Sequence, residues 1–266
     1  MTILNEEAIG IPKRQRQASS WIAIALMGIW VPILMIIETV IGIAISPLLL
    51  VIWLLVTRWS FGKIFRHFIW MYGRVWLWIV SPFVRLKLTV AKPGRLDKPC
   101  VYVANHLSLF DIFFLSAMPV FDVIICLRSW PFKMAWYALF MRFAEYLDVE
   151  QLSWEEILRR MGPIFKEGHS VLLFPQGHRS RDGRLTRFYS GAFKLAIHFN
   201  IPIVPICITG TDQMLPPGRR WMAPADVQME CLEPIEPKTF QKERGHIELR
   251  KQVRKLMEVC LAKNRL

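Results

Sequence analysis

The sequence predicts an α/β protein: a mixed-sheet α/β domain preceded by an N-terminal, membrane-embedded helical hairpin. Three observations carry that expectation. From Val84 onward, short apolar runs alternate with segments of helical periodicity. Before them, the run from Trp21 to Thr57 is apolar throughout, with Glu38 as its only charge. Finally, a chain of 266 residues fits one domain plus an appendage, and a hydrophobic share of 53% is above that of an ordinary soluble protein. The organisation read from this is a basic arm at 1–20, a membrane hairpin with an interfacial helix at 21–80, and a domain at 81–266 that closes in an amphipathic helix.

The arm is polar, carries Lys13, Arg14 and Arg16, and has Pro12 against early helix. As one helix, the apolar run would be ~55 Å long, against a hydrocarbon core of ~30 Å. It is therefore expected to bend, at Pro32, Gly42 or Pro47, into a hairpin of two helices. It is too long for a signal peptide, and no small-residue cleavage site follows it. Basic residues flank it on both sides, Lys13, Arg14 and Arg16 before and Arg58, Lys63 and Arg66 after, so both ends are expected on the cytoplasmic face. Residues 61–80 set Lys63, Arg66, His67 and Arg74 near one face and aromatics mostly opposite, which suits an interfacial helix. The competing reading is an amphipathic helix packed on the domain.

In the domain, Val84–Val90 alternates polar and apolar as a half-exposed strand should, and residues 100–104 form a buried strand after the Pro93-Gly94 turn. The rest reads as strands at 123–127, 146–149, 171–174, 203–208 and 227–232. Helices are expected over 109–118, 133–143, 153–168, 191–199 and 240–264. Ser153 with Glu156 three residues on is a capping box.

A net charge of +13 suits nucleic acid or an anionic lipid surface, and eleven Trp beside a long apolar run decide for lipid. No nucleic-acid motif is present, so no nucleic-acid partner is expected. Cys100, Cys126, Cys207, Cys231 and Cys260 are scattered without disulfide or zinc spacing, which fits a reducing compartment, and no cofactor or metal site is expected.

Chemistry concentrates in Ala104-Asn105-His106-Leu107-Ser108-Leu109-Phe110-Asp111, where a buried strand turns into a helix. A histidine and an aspartate five positions apart can fold together there. The carboxylate accepts from one ring nitrogen and leaves the other to take a proton from an alcohol. The competing reading is a satisfied loop histidine beside a capping aspartate. A second stretch is Leu172-Leu173-Phe174-Pro175-Gln176-Gly177-His178-Arg179-Ser180, followed by Phe188, by Gly191 to Ala196, and by Ile203-Val204-Pro205-Ile206.

Together these stretches resemble the glycerolipid acyltransferase family, over roughly residues 80 to 235. The Asn-His-x4-Asp block is matched by Asn105, His106 and Asp111, and the Phe-Pro-Glu-Gly-x-Arg-Ser block by Phe174, Pro175, Gly177, Arg179 and Ser180. The Val-Pro pair is Val204 and Pro205. Arg128 after Ile124–Leu127 stands for the basic residue of another block, whose Asp-Arg pair is half present as Asp148. The family's glutamate is Gln176 here, and its Thr or Ser before the arginine is His178.

The resemblance implies an acyltransferase that moves a fatty acyl chain from a thioester to a lysolipid hydroxyl, most simply 1-acylglycerol-3-phosphate giving phosphatidic acid. His106 is the implied base and Asp111 its orienting partner. Asn105, Arg128, Phe174, Pro175, Gln176, Gly177, Arg179 and Ser180 are the implied substrate-binding set. Arg179 and Arg128 are the natural phosphate anchors. Implied partners are membrane lipids, a lysolipid acceptor, and acyl-CoA or acyl carrier protein as co-substrate. The implied place is the cytoplasmic face of a bacterial inner membrane. No serine or cysteine sits in a nucleophile elbow, so transfer is expected to be direct. Because of Gln176, another acceptor such as lyso-ornithine lipid stays open, as does an inactive lipid-binding homologue.

Overall fold

The computed structural model describes residues 21–95 and 99–264, so the basic arm at 1–20 lies outside the described residues. The chain opens with α1 (Trp21–Val56) and α2 (Phe61–Val80). It continues through β1 (Val84–Val90), β2 (Val101–Ala104), α3 (Asp111–Phe114), β3 (Val123–Leu127), α4 (Ala135–Phe143) and β4 (Leu147–Asp148). It ends with α5 (Trp154–Lys166), β5 (Ser170–Leu173), α6 (Gly191–Phe199), β6 (Ile203–Thr209), α7 (Thr211–Met214), β7 (Ala225–Cys231) and α8 (Gly245–Lys263).

The sheet is mixed, as expected, with seven strands in the order β1-β7-β6-β2-β5-β3-β4. Neighbours from β6 through β4 are parallel, and β7 runs antiparallel to β6. A parallel sheet must be covered on both faces, and β2 shows how. Its side chains alternate: Val101 and Val103 pack with α5, α6 and α8 through Met161, Phe193, Leu249 and Val253. Tyr102 and Ala104 pack on the other side with α2 and α4 through Phe65, Ala138 and Met141. The capping box is present, with the Ser153 hydroxyl accepting from the Glu156 amide at 3.2 Å. The helix expected over 109–118 is one short α-turn followed by a 3₁₀ turn at Leu115–Ala117. All five cysteines are buried.

The apolar run corrects one expectation. Residues 21–56 form one continuous helix of 36 residues that keeps Pro32 and Pro47 inside it, and the chain reverses only at 57–60. A loop within so apolar a run would strand backbone polar groups, whereas an internal proline removes a single helical hydrogen bond. The reversal falls instead on Thr57-Arg58-Trp59-Ser60, where Ser60 caps α2 by accepting from the Lys63 amide at 3.3 Å. Of α1, only Met27 and Val31 are buried; they pack on Trp76, Ile79 and Val80 of α2. Many of its other large apolar side chains stay exposed, most of all Trp21 at one end and Leu55 and Val56 at the other, while Leu34, Met35, Leu50 and Trp53 are half-buried. Farther along, an apolar cleft of about 390 Å³ opens between α1 and α2, with Tyr137 and Phe140 of α4 also lining it. The Thr39 and Tyr72 hydroxyls meet at 2.8 Å in the same region.

The second correction concerns α2. Part of its expected basic face turns inward: Arg66 is 1% exposed and bonds Asp122 and Glu145, each at 2.7 Å, and Lys63 reaches Asp122 at 3.2 Å, while Arg74 stays exposed. Burial pushes the Asp122 carboxyl upward, but its hydrogen bond with His169 and the Arg66 charge outweigh this and hold it below the usual range. A guanidinium this deep needs such partners. The competing reading, a helix packed on the domain, therefore describes this face; Trp78, at 72% exposure, belongs to the outward one.

Candidate active site

β6, β2, β5, β3 and β4 are parallel, so their C-terminal ends share one edge of the sheet, where open α/β sheets place their ligands. His106 follows β2, Gln176 follows β5, Arg128 follows β3 and Glu150 follows β4. Both sequence motifs, about 70 residues apart in the chain, are thus brought side by side.

The turn that follows β2 closes on Asp111, which is fully buried. Its Oδ2 accepts from His106 Nδ1 at 2.7 Å and from the amides of Leu107 and Ser108 at 2.6 and 2.9 Å. A carboxylate only accepts, so Nδ1 carries the proton and Nε2 is left as the acceptor. The His106 side chain is 21% exposed, and its ring lies on Phe174 with centroids 4.3 Å apart and planes at 27°. One edge of the imidazole is therefore fixed by Asp111 and one face by Phe174, and Nε2 has no hydrogen-bond partner among the described residues.

Three of the residues expected to bind substrate are buried and bonded within the scaffold of the turn. Asn105 is buried and clamps the ends of β2 and β6 together, donating to Ile208 O at 2.8 Å and accepting from Ile208 N at 2.7 Å. Gln176 is buried, accepts the His106 amide at 3.1 Å and donates to the Thr186 hydroxyl at 3.1 Å. Ser180 is 2% exposed; its amide donates to His106 O at 2.8 Å and its hydroxyl to Asp182 at 2.9 Å. The Asn105 and Gln176 side chains thus tie the backbone of the site, and Ser180 does so through its amide. The Pro175 carbonyl accepts the Tyr189 amide at 2.7 Å. Gly177 has φ +70°, and a Cβ there would stand 2.9 Å from the Tyr189 ring, so only glycine fits. The Gly177 amide bonds Phe174 O at 3.0 Å, which leaves those of Gln176 and His178 as the loop's donors for an oxyanion. The His178 side chain is exposed.

The two arginines differ. Arg128 Nε donates to Glu150 at 3.1 Å, Nη2 donates to the same oxygen, and the Ser129 amide binds the other carboxylate oxygen at 3.0 Å. The guanidinium beside it, and then the Ser129 amide, hold the Glu150 carboxyl down at about 2. Arg179 is half-buried and has no carboxylate partner among the described residues. Glu150 was not singled out in the sequence, and no spacing signals a pair formed between the ends of two strands. No cluster of His, Cys, Asp or Glu that could hold a metal occurs among the described residues.

Comparison with known proteins agrees with this arrangement. Residues 85–209 match the family model described as Acyltransferase. The chain is 33% identical over 166 residues to the chloroplastic 1-acyl-sn-glycerol-3-phosphate acyltransferase of Brassica napus, covering 58% of this chain and 45% of that protein. It is 27% identical over 198 residues to the 1-acyl-sn-glycerol-3-phosphate acyltransferase of Salmonella typhimurium, covering 72% of this chain and 78% of that one. The chain thus spans under half the length of its plant relative. In fold it is similar to the crystal structure of the 1-acyl-sn-glycerophosphate acyltransferase PlsC from Thermotoga maritima. The TM-score is 0.65 at 22% identity, over 88% of this chain and 98% of that one. The matched stretch runs from β1 through β6 and contains both motifs, so this part of the chain is similar to the acyltransferases of the family model.

Proposed function

We propose that this protein is a membrane-bound O-acyltransferase that moves a fatty acyl chain from an acyl thioester to the hydroxyl of 1-acylglycerol-3-phosphate, giving phosphatidic acid. The observation that carries this is the free Nε2 of His106, opposite an Nδ1 held by Asp111 at 2.7 Å. Nε2 takes the proton of the acceptor hydroxyl as its oxygen attacks the thioester carbonyl. The tetrahedral intermediate then collapses, the C–S bond breaks, and the thiolate leaves with the proton from the imidazolium. General-base help of this kind contributes ~10²–10⁴-fold. In this reading the loop amides of Gln176 and His178 serve as donors to the developing oxyanion, and one such donor contributes ~10²–10³-fold. The acyl carrier is coenzyme A or acyl carrier protein.

The acceptor assignment rests on the relatives' names and on Arg179, a guanidinium on the loop that follows β5 with no carboxylate partner among the described residues. The exposed apolar surface of α1 supports membrane attachment, and the basic residues flanking the apolar run support the cytoplasmic face of a bacterial inner membrane.

The test is transfer from labelled acyl-CoA, and separately from acyl carrier protein, to a panel containing lysophosphatidic acid and lyso-ornithine lipid. Wild type is expected to make phosphatidic acid, and His106→Ala to lose at least 10²-fold in kcat while staying folded. Turnover within a few fold of wild type in that variant would sink the mechanism. Preferred use of lyso-ornithine lipid would move the acceptor to a phosphate-free headgroup.

A further inference from the structure

We propose that Thr211 is a positioning residue of the acyl-transfer site. Its hydroxyl fixes the rotation of the Asp111 carboxylate so that Oδ2 faces His106. The proposal rests on the reading of His106 as the base. Nothing in either sequence motif points to Thr211, which lies 100 residues from Asp111 in the chain.

The carboxyl torsion of an aspartate is broad, and two oxygens of equal chemistry can exchange places by rotation about it. Three donors meet at Oδ2, namely His106 Nδ1 and the Leu107 and Ser108 amides. None of them reaches Oδ1. Without a donor, Oδ1 would be a buried acceptor left unpaired, and the carboxylate would relax by turning it toward one of the three. The Thr211 hydroxyl removes that option, donating to Oδ1 at 2.5 Å. Both residues are fully buried, so no water competes for the place.

The chain brings Thr211 there by a close turn. Gly210 has φ +90°, and a Cβ on it would stand 1.9 Å from Asp226 O, so the backbone passes where no side chain fits. The same segment is fastened to the catalytic turn on either side. Before it, Asn105 clamps Ile208 through both of its amide atoms, and after it Ser108 Oγ donates to Leu215 O at 2.8 Å. Thr211 sits between these fastenings and is the one that reaches the carboxylate. The end of β6 thus sets the orientation of a base that belongs to the end of β2.

Thr211→Val removes the hydroxyl at nearly constant volume, and Thr211→Ser keeps it. Two readings are made on full-length protein in detergent: steady-state kinetics with lysophosphatidic acid and acyl-CoA, and ¹⁵N NMR of selectively labelled histidine, with His106 assigned by comparison with His106→Ala. The valine variant is expected to lose about 10–100-fold in kcat, the size of a small misplacement of a catalytic group, with both KM values within about threefold. Its His106 signals should move from the single Nδ1–H tautomer toward a mixture, and serine should restore both readings. A mixed tautomer in wild type, or a single Nδ1–H tautomer retained in the valine variant, overturns the proposal, as does a valine kcat within threefold of wild type. Should the valine variant fold poorly, Thr211→Cys fills the same space with a weak donor and is read the same way, with a loss and a tautomer shift expected. A wild type that folds, shows the single tautomer and transfers nothing to lysophosphatidic acid counts against the acceptor assignment and not against this one.

Discussion

The base and the arginines stand on the same edge of the sheet and are held in opposite ways. On the β2–β6 side, every polar atom of Asp111 is buried and paired, and Asn105 and Gln176 tie the surrounding backbone. On the β5–β3–β4 side the charges lie nearer solvent: the Arg128 side chain is 56% exposed and closed by Glu150, while Arg179 is half-buried with no carboxylate partner among the described residues. The difference follows from what each side must do. A base needs one geometry in every turnover, so its supports are short, buried and redundant. A headgroup site must admit and release a charged ligand, so its cations stay where water can replace the ligand.

Breaking the buried side should therefore cost the most. Asp111→Asn removes the charge and sets an amide N–H₂ either among the three donors at the Oδ2 position or against the Thr211 hydroxyl, and kcat is expected to fall ~10³–10⁴-fold, as orienting carboxylates of this kind lose when neutralised. Circular dichroism of the variant separates this loss from unfolding. A loss under tenfold in folded protein would mean that the imidazole keeps its orientation without the carboxylate.

On the open side, Arg179→Ala should raise the KM of lysophosphatidic acid ~10–100-fold and leave that of the acyl donor within about threefold, through loss of charge-assisted hydrogen bonds. Arg128→Ala should do less, because its guanidinium is already committed to Glu150. If Arg128→Ala does the greater damage, the ranking of the two arginines is reversed and Glu150 must swing away when the acceptor binds.

The smallest effect sharpens the same comparison. Glu150→Gln releases Arg128 and should lower the KM of a phosphate-bearing acceptor by about two- to fivefold, most visibly in the Arg179→Ala background. The pairing does not change with pH in the working range. The Glu150 carboxyl is depressed to about 2 from 4.5, so whatever the pair contributes is fully present above pH 4.5 and is lost only as pH falls through 2. A change of acceptor KM between pH 6 and 8 that disappears in Glu150→Gln would contradict this.

By itself, the sequence determined whatever is local. The His106–Asp111 pair spans five residues and closes on amides of its own turn, so its geometry follows from the motif wherever the domain folds. The alternation of apolar runs and helical segments set the class of the sheet, and the apolar stretch before Val56 had to become helix because its backbone has no other partner. Tertiary structure alone decided the rest, because each remaining feature is a contact between distant segments. Arg66 looks like any cation on an amphipathic helix until Asp122 and Glu145 meet it in the interior. Asn105 reads as a ligand-binding amide until Ile208 takes both of its polar atoms. Arg128 is separated from Arg179 only by Glu150, which arrives from the next strand, and Thr211 reaches Asp111 only because β6 lies beside β2. Sequence periodicity reports which face of an element is apolar. Which polar group meets which across strands is fixed by register, and register exists only in the folded sheet.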